Sequence, residues 1–240
     1  DLNLGVSYTN IEVEDRVVLP YLDTTTDQSR WNPKVGTTVY LTPDLTWRSA
    51  YFEGLRKSAL EDTGTLEPTL VGGFNQIFND FSGARSRTYA TGLDYKIAKK
   101  TYMGVERSHR DVIEADNLAR TTYSLDFDSL TQSTTTTLDD KFEDHFNQDF
   151  LSGYLYQVFS KRWVGTVDYD WFKSELTDPD VYQDLKLHRS RFTLRYFDPS
   201  GWFSFATATW REQNRDGSFF VEDGNSQFWI VDTGVGYRFP

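Results

Sequence analysis

Alternation of apolar and polar side chains, with a period of two residues, recurs in ten segments of this 240-residue chain. In the clearest segment, 227–239, Trp229, Val231 and Tyr237 alternate with small or charged residues. Successive side chains of a strand point to opposite faces of a sheet. Helical periodicity is nearly absent. The sequence therefore predicts an all-β protein with strands at 2–9, 35–41, 45–55, 88–97, 102–110, 150–158, 163–172, 185–197, 202–211 and 227–239.

The connections between these segments alternate strictly between short and long. Short turns fall at 42–44, 98–100, 160–162 and 198–201, and long polar stretches fall at 10–34, 56–87, 111–149, 173–184 and 212–226. Transmembrane barrels have short periplasmic turns and long extracellular loops. We therefore predict one domain over 1–240, an antiparallel transmembrane β-barrel or part of a larger barrel. A soluble β-sandwich stays open as an alternative, because its strands alternate in the same way.

Composition narrows the classes of function. The net charge is −11, and no basic run offsets it, so we expect no nucleic-acid partner. The chain contains no cysteine, which excludes disulfides, thiol nucleophiles and cysteine-ligated metals. With three histidines in the chain, we predict no metal site and no cofactor. No apolar run reaches the roughly 18 residues of a transmembrane helix.

Aromatic residues make up 16% of the chain and concentrate near the ends of the predicted strands. Membrane barrels carry such rings in two girdles at the lipid–water interfaces. The pattern predicts a bacterial outer-membrane location, with lipid or lipopolysaccharide around the barrel. The rings expected in the girdles are Trp47, Tyr51, Tyr95, Tyr102, Trp163, Trp171, Tyr196, Trp202, Trp229 and Tyr237.

Charged residues alternate with these rings. An Arg or Lys in the middle of the lipid-facing surface costs about 2–4 kcal/mol, so the charges are expected to face the lumen. A ladder of arginines there would attract anions. We favour instead pairing between opposite charges, because unpaired charge away from water is costly. The residues predicted to face the lumen are Arg48, Asp94, Lys96, Glu106, Asp168, Asp170, Arg189, Arg191, Arg195, Asp232 and Arg238.

The long stretch 56–87 contains rings interleaved with amides. Rings stack on ligands and amides form hydrogen bonds with them, a composition suited to sugars or amphipathic molecules. The same stretch could fold inward and narrow the pore, or pack over the barrel mouth. The predicted ligand-contact residues are Phe74, Asn75, Gln76, Phe78 and Phe81.

Catalysis requires a positioned nucleophile, base and orienting group. Ser108 and His109 are neighbours in a predicted strand, so their side chains point to opposite faces and cannot pair directly. We therefore predict no catalytic residues and no enzymatic activity.

Three short motifs carry a family resemblance. Segments 32–36 (NPKVG) and 41–51 (LTPDLTWRSAY) resemble a hairpin of TonB-dependent outer-membrane receptors, and 235–239 (VGYRF) resembles one of their late strands. Segment 65–69 (TLEPT) looks like a variant of a loop after that hairpin, with Thr69 in place of the family's Glu. Segments 66–69 and 73–76 are also similar to barrel regions of tetratricopeptide-repeat outer-membrane exporters.

The resemblance implies a Gram-negative outer-membrane barrel with a transport role. We predict a porin-like or receptor-like barrel that conducts or takes up a polar solute, with polysaccharide among the candidates. The alternative is a structural or anchoring barrel, or an exporter pore, which holds a periplasmic or extracellular protein assembly. A third hypothesis is a soluble sandwich that binds polysaccharide.

Overall fold

The computed structural model describes the backbone of residues 1–18, 21–55, 70–75, 84–116, 119–126, 131–138, 142–177, 182–217 and 223–239. Among these residues, no helix is long and apolar enough to cross a bilayer. The all-β prediction is confirmed. The strands are β1 (Leu2–Val18), β2 (Tyr21–Thr42), β3 (Leu45–Leu55), β4 (Leu70–Val71), β5 (Phe74–Asn75), β6 (Arg85–Ala98), β7 (Thr101–Asp116), β8 (Ala119–Asp126), β9 (Thr131–Leu138), β10 (Phe142–Val158), β11 (Trp163–Thr177), β12 (Tyr182–Phe197), β13 (Trp202–Asp216) and β14 (Gly224–Tyr237).

Ten of these strands form one antiparallel sheet in the order β1-β2-β3-β6-β7-β10-β11-β12-β13-β14. Each of the ten predicted segments lies within one of them, except that the last extends two residues past β14. The remaining strands form two separate hairpins, β4-β5 and β8-β9. The sheet is thus a simple up-and-down meander, interrupted in sequence by the two hairpins.

The four predicted short turns connect β2 to β3, β6 to β7, β10 to β11 and β12 to β13, all at one end of the sheet, which we name the turn end. At the opposite end, the loop end, the predicted strand limits were wrong. β1 and β2 remain paired as far as Val18 and Tyr21, and β10 already begins at Phe142. Residues 12–16 and 23–30 are mostly polar in sequence, so the backbone ladder continues there without alternation to reveal it.

The sheet is open in the described part of the chain. β1 and β14 are its two edges, and no pairing joins them. Because the sheet has an even number of antiparallel strands, these two edge strands run in opposite directions. The closed barrel predicted from the sequence is therefore not observed, and closure belongs to the proposal below.

The register divides the sheet into two faces, because direct cross-strand partners share a face. On the first, the apolar face, the six-strand part of one row that runs from β7 to β14 remains 39–70% exposed apart from its alanine. Four successive rows on this face, from that of Trp163 to that of Tyr169, contain no charged residue in the described strands. The six-strand row consists of Met103, Leu155, Val167, Phe192, Ala208 and Val231.

Rings border the apolar face at both ends. Near the turn end, Trp163 and Tyr196 pair with ring centroids 4.8 Å apart. Nearer the loop end, Tyr51 and Tyr89 pair at 5.1 Å. In β11, the span from Trp163 to Trp171 has the length, roughly nine residues, that a tilted strand needs to cross a bilayer. Of the ten rings expected there, Tyr102 lies on the other face, beside Tyr156.

The second face, the polar face, carries the main buried cluster of the described residues. The β4-β5 hairpin lies against β2, β3 and β6, and apolar side chains from the hairpin and the sheet are buried between them. The protein core thus lies on the face that carries the charges. Its members are Ala50, Phe52, Val71, Phe74 and Ala90.

Candidate functional site

Two adjacent rows of cross-strand partners on the polar face hold most of the predicted lumen charges. We name them the charged rows. Both cross the middle of the sheet, so side chains that are 46 to 58 residues apart in sequence come together. The first row contains Arg48, Gly92, Glu106, Ser152, Asp170, Arg189 and Arg211. The second contains Thr46, Asp94, Gly104, Tyr154, Asp168, Arg191 and Thr209.

Arg48 is the centre of the N-terminal part of these rows. Its Nε donates to Asp94 Oδ2 at 2.7 Å, and its Nη2 donates to Glu106 Oε2 at 3.4 Å. Asp94 Oδ1 in turn accepts a hydrogen bond of 2.7 Å from the Tyr154 hydroxyl. Because the side chain of Arg48 is 18% exposed, this guanidinium is largely removed from water and is neutralised by two carboxylates.

Two glycines allow contacts between strands that are not neighbours. Gly92 lies between Arg48 on β3 and Glu106 on β7, and Gly104 lies between Asp94 on β6 and Tyr154 on β10. A Cβ on Gly104 would be 2.4 Å from the Tyr154 ring. The absence of a side chain at these positions therefore lets polar groups bond across an intervening strand.

Ion pairs also span β11 and β12, in the C-terminal part of the charged rows. Arg189 Nη2 lies 2.5 Å from Asp170 Oδ2, and Arg191 Nε lies 3.1 Å from Asp168 Oδ2. These guanidiniums are 41–42% exposed, more than twice the exposure of Arg48. The pairing interpretation of the arginines thus describes Arg48, Arg189 and Arg191 better than the anion ladder does.

The β4-β5 hairpin is closed by Gly72 and Gly73, whose φ angles are 58° and 84°. Positive φ at both central residues gives the type I′ turn, which glycine adopts without strain. The turn places Phe74 against the sheet, where it is 3% exposed. Phe74 therefore anchors the hairpin to the sheet.

Small residues on the polar face make room for this hairpin. Gly36, Ala50 and Ala90 are partners or near neighbours in one row, and a Cβ on Gly36 would be 2.4 Å from the backbone nitrogen of Gly72. Arg48 holds the hairpin from the other side: its Nη1 donates to Gly73 O at 3.1 Å, and its guanidinium lies 4.8 Å from the Phe74 ring centroid. The hairpin and the ion-pair network are thus one connected structure.

Two cavities open on the polar face beside this structure. One, of about 190 Å³, lies next to the hairpin and combines the rings of Phe74, Phe150 and Phe172 with Glu106 and Gln148. The other, of about 600 Å³, lies nearer the turn end and is lined by Tyr102, Tyr154 and Tyr156 together with Asp168, Asp170 and Arg191. Each cavity therefore combines aromatic surface with hydrogen-bonding groups.

The other predicted residues are placed less centrally. By register, Lys96 lies opposite Tyr102, Arg195 opposite Phe205 and Asp232 opposite Thr207, all on the polar face. Arg238 follows β14, and its backbone N–H donates to Gly201 O at 2.8 Å. Asn75 belongs to β5, but its side chain is not among those described. Gln76, Phe78 and Phe81 lie outside the described residues.

Sequence reasoning missed Arg110 and Tyr154. Arg110 is 5% exposed on the polar face, and its Nη1 donates to Gln148 Oε1 at 3.1 Å. Both residues fall on the polar side of an alternating strand, so the alternation could have identified them. Their partners, in contrast, depend on the register between strands.

A small polar cluster lies on the apolar face, on the loop-end side of the uncharged rows. His109 Nδ1 is 3.2 Å from Asp149 Oδ1, and His109 Nε2 is 3.1 Å from Asp111 Oδ1. Arg107 Nη2 is 3.4 Å from the same Asp149 oxygen. Ser108 lies on the polar face by register, so the structure does not bring it to His109.

The turn end carries one carboxylate with a shifted pKa. Hydrogen bonds from the hydroxyl and backbone N–H of Ser200, and then from the Tyr196 hydroxyl, lower the pKa of Asp198 below its ordinary 3.8. These bonds favour the ionised form and tie the β12–β13 turn together.

The chain matches no protein-family model and no curated protein. Paired charges, tyrosine hydroxyls and ring surfaces on one face can bind and guide a polar molecule by hydrogen bonding and stacking.

Proposed function

We propose that this chain forms an outer-membrane β-barrel, or part of the wall of one, which conducts a polar solute along its polar face. The observation that carries the proposal is the apolar face: four consecutive uncharged rows, bordered by rings. Soluble monomers rarely expose a continuous apolar patch of this extent. Lipid would cover these side chains without cost.

The exposure of the apolar face argues against the sandwich alternative. In a sandwich, a second sheet packs on the apolar side of the first. Here Val167, Phe192 and Val231 are 39%, 46% and 70% exposed, so no element of the described chain covers them. The β4-β5 hairpin, which does pack on the sheet, lies on the polar face.

A membrane location requires partners for the two edges of the sheet. Backbone N–H and C=O groups must all be paired within lipid, which strand proteins achieve by closing the sheet. We propose that β1 and β14 pair with each other or with additional strands to close the barrel. The opposite directions of β1 and β14 suit antiparallel pairing in either case.

In this arrangement the polar face lines the lumen. Its charges are largely paired, and the hairpin occupies part of the space next to β2, β3 and β6. The two cavities on the remaining surface would form the route of the solute. With the turn end on the periplasmic side, the loop end would face the exterior and its lipopolysaccharide, in keeping with the resemblance to outer-membrane receptors and exporters.

The rival function is a structural barrel with a sealed lumen, which holds a periplasmic or extracellular assembly. The buried contacts between Phe74 and the sheet favour it, because they fill lumen space with protein. Permeability separates the two functions.

The test is reconstitution of the full chain from detergent into planar lipid bilayers. We expect extraction from membranes to require detergent and the folded protein to give discrete conductance steps. Heat-unfolded protein in the same detergent is the control. Solubility without detergent would overturn the membrane location, and insertion without conductance in any oligomeric state would favour the structural barrel.

A further inference from the structure

We infer that the polar face of β10 is a stacking track for a neutral oligosaccharide. This inference rests on the proposed function, because it names the class of solute that would pass along the lumen. It starts from one strand: Phe150, Tyr154 and Tyr156 all lie on the polar face of β10, with Ser152 between them.

Rings from neighbouring strands widen this line. Phe172 of β11 is the direct partner of Phe150, and Tyr102 of β7 is the direct partner of Tyr156. The Tyr154 and Tyr156 rings meet edge to face at 5.5 Å. From residue 150 to residue 156, the strand rises by about 20 Å at 3.3 Å per residue. The ring line is thus long enough for several sugar units in succession.

The two cavities of the polar face lie along this line. The cavity of about 190 Å³ includes Phe150 and Phe172, and the cavity of about 600 Å³ includes Tyr102 and Tyr156. Tyr102 and Tyr156 are each 41% exposed, so their rings are accessible to a ligand.

The charges beside the track select a neutral ligand. Arg48 is paired with Asp94 and Glu106, Arg191 with Asp168, and Arg189 with Asp170. Three arginines and four carboxylates thus lie beside the track, so an ion of either sign would meet charges of both signs. Hydroxyl groups, in contrast, can donate to these carboxylates and accept from the guanidiniums.

Ring surfaces together with fixed donors and acceptors match the chemistry of a sugar chain. The C–H faces of a pyranose pack on aromatic rings, while its hydroxyls form hydrogen bonds at the rim. Neither feature alone would indicate this ligand. The indication comes from their position on one face, where the rings of β10 lie between the paired charges of the neighbouring strands.

The probe is cellohexaose, a neutral chain of six glucose units, titrated by calorimetry into the full chain in detergent. We expect saturable binding by the wild type. Tyr156→Ala should weaken it about five- to tenfold through loss of one stacking surface, and Tyr156→Phe, which keeps the ring, should restore most of the affinity. Tyr95→Ala is the matched control, because Tyr95 is 43% exposed on the apolar face.

Two further probes separate the alternatives. Hexaethylene glycol is a chain without hydroxyls along its length and should not bind, whereas inorganic phosphate would bind to an anion ladder. Absence of cellohexaose binding at 10 mM, or equal affinities of Tyr156→Ala and Tyr95→Ala, would overturn the inference. Phosphate binding in its place would do the same.

Conductance measured on the same samples keeps the two proposals apart. Conductance without cellohexaose binding would retain the conduit and reject the track. Binding without conductance would retain the track as a binding surface and reject the conduit.

Discussion

The two faces of the ten-stranded sheet belong to the same strands, one residue out of step, but they are stabilised in different ways. On the polar face, specific contacts hold side chains in place, as Arg48 does with Asp94, Glu106 and the hairpin. On the apolar face, Leu155, Val167 and their partners remain exposed. The stability of the polar face therefore depends on specific side-chain partners, whereas the stability of the apolar face depends on the medium around it.

This difference predicts how substitutions should behave. A substitution on the apolar face should change the stability according to how favourably the new side chain transfers into lipid, and the shape of that side chain should have little effect. A substitution on the polar face should lower the stability because the former partners of the replaced side chain remain unpaired.

The strongest test places the same charge on each face. Ala206 lies on the apolar face of β13, midway between Trp202 and Trp210, and Thr207 lies next to it on the polar face, opposite Asp232. We expect Ala206→Arg to lower the free energy of unfolding in lipid vesicles by about 2–4 kcal/mol, since it puts a guanidinium in hydrocarbon.

Thr207→Arg should cost about 1 kcal/mol, because it loses a hydrogen bond to Thr193 but gains Asp232 as a neighbour. Urea unfolding followed by tryptophan fluorescence measures both variants. Equal losses for Ala206→Arg and Thr207→Arg would contradict the assignment of the faces.

The second test removes an arginine from each face. Arg48 is 18% exposed and has two carboxylate partners, whereas Arg107, on the apolar face, is 66% exposed with one distant partner. Arg48→Ala leaves carboxylates unpaired in a partly buried site, so we expect a loss of about 2 kcal/mol.

Arg107→Ala should cost less than about 1 kcal/mol, because water screens its ion pair. Arg48→Ala should also raise the bilayer conductance, since it removes the hydrogen bond from Arg48 Nη1 to Gly73 O that holds the hairpin. Unchanged stability and unchanged conductance in Arg48→Ala would show that Arg48 does not hold the hairpin.

The third test adds one methyl group to each face. In Gly36→Ala, the new Cβ would be 2.4 Å from the Gly72 backbone nitrogen, which cannot move without displacing the hairpin. We expect a loss of about 1–2 kcal/mol from overpacking. In Gly165→Ala, on the apolar face, the nearest atom is Phe159 Cε2 at 2.7 Å, the end of a side chain that can turn away.

Gly165→Ala should therefore stay within about 0.5 kcal/mol of the wild type, as is usual for substitutions away from packed sites. Urea midpoints of the two variants, measured side by side, give the comparison. A greater loss of stability in Gly165→Ala than in Gly36→Ala would show that the apolar face, and not the polar face, is the more closely packed.

The smallest effect on stability is expected from a substitution at the turn end, in the connection between β12 and β13. A lowered folded pKa means that ionised Asp198 stabilises the protein at pH values above 3.8, and that this contribution disappears as the pH falls through the lowered pKa. Asp198→Ala should therefore be less stable than the wild type at pH 7. The difference should narrow towards about pH 2.5, and a constant difference would exclude this role.

The sequence was sufficient to predict the ten strands of the main sheet, except for their limits at the loop end, and the faces of most of the residues singled out, Tyr102 excepted. Alternation survives wherever a strand has one apolar side, as in β11 and β14. It fails at residues 12–16 of β1 and 23–30 of β2, which are mostly polar in sequence although the ladder continues. A strand that is polar on both sides shows no alternation by which the sequence could reveal it.

The organisation of the site could not be predicted in the same way. Alternation places Arg48 on the polar face, but its partners Asp94 and Glu106 lie 46 and 58 residues further along the chain. Which carboxylate it binds depends on the register of three strands. The seat of the hairpin likewise depends on Gly36 and Ala90 being aligned across β3, which no local pattern reveals.

Gly92 and Gly104 have a consequence for the dimensions of the proposed channel. Contacts that pass over a missing side chain join β3 to β7 and β6 to β10 on the polar face. Such contacts would bend the sheet towards that face. The tighter this bend, the smaller the radius of a barrel built from these strands. Two residues without side chains would thereby help to set the bore of the channel.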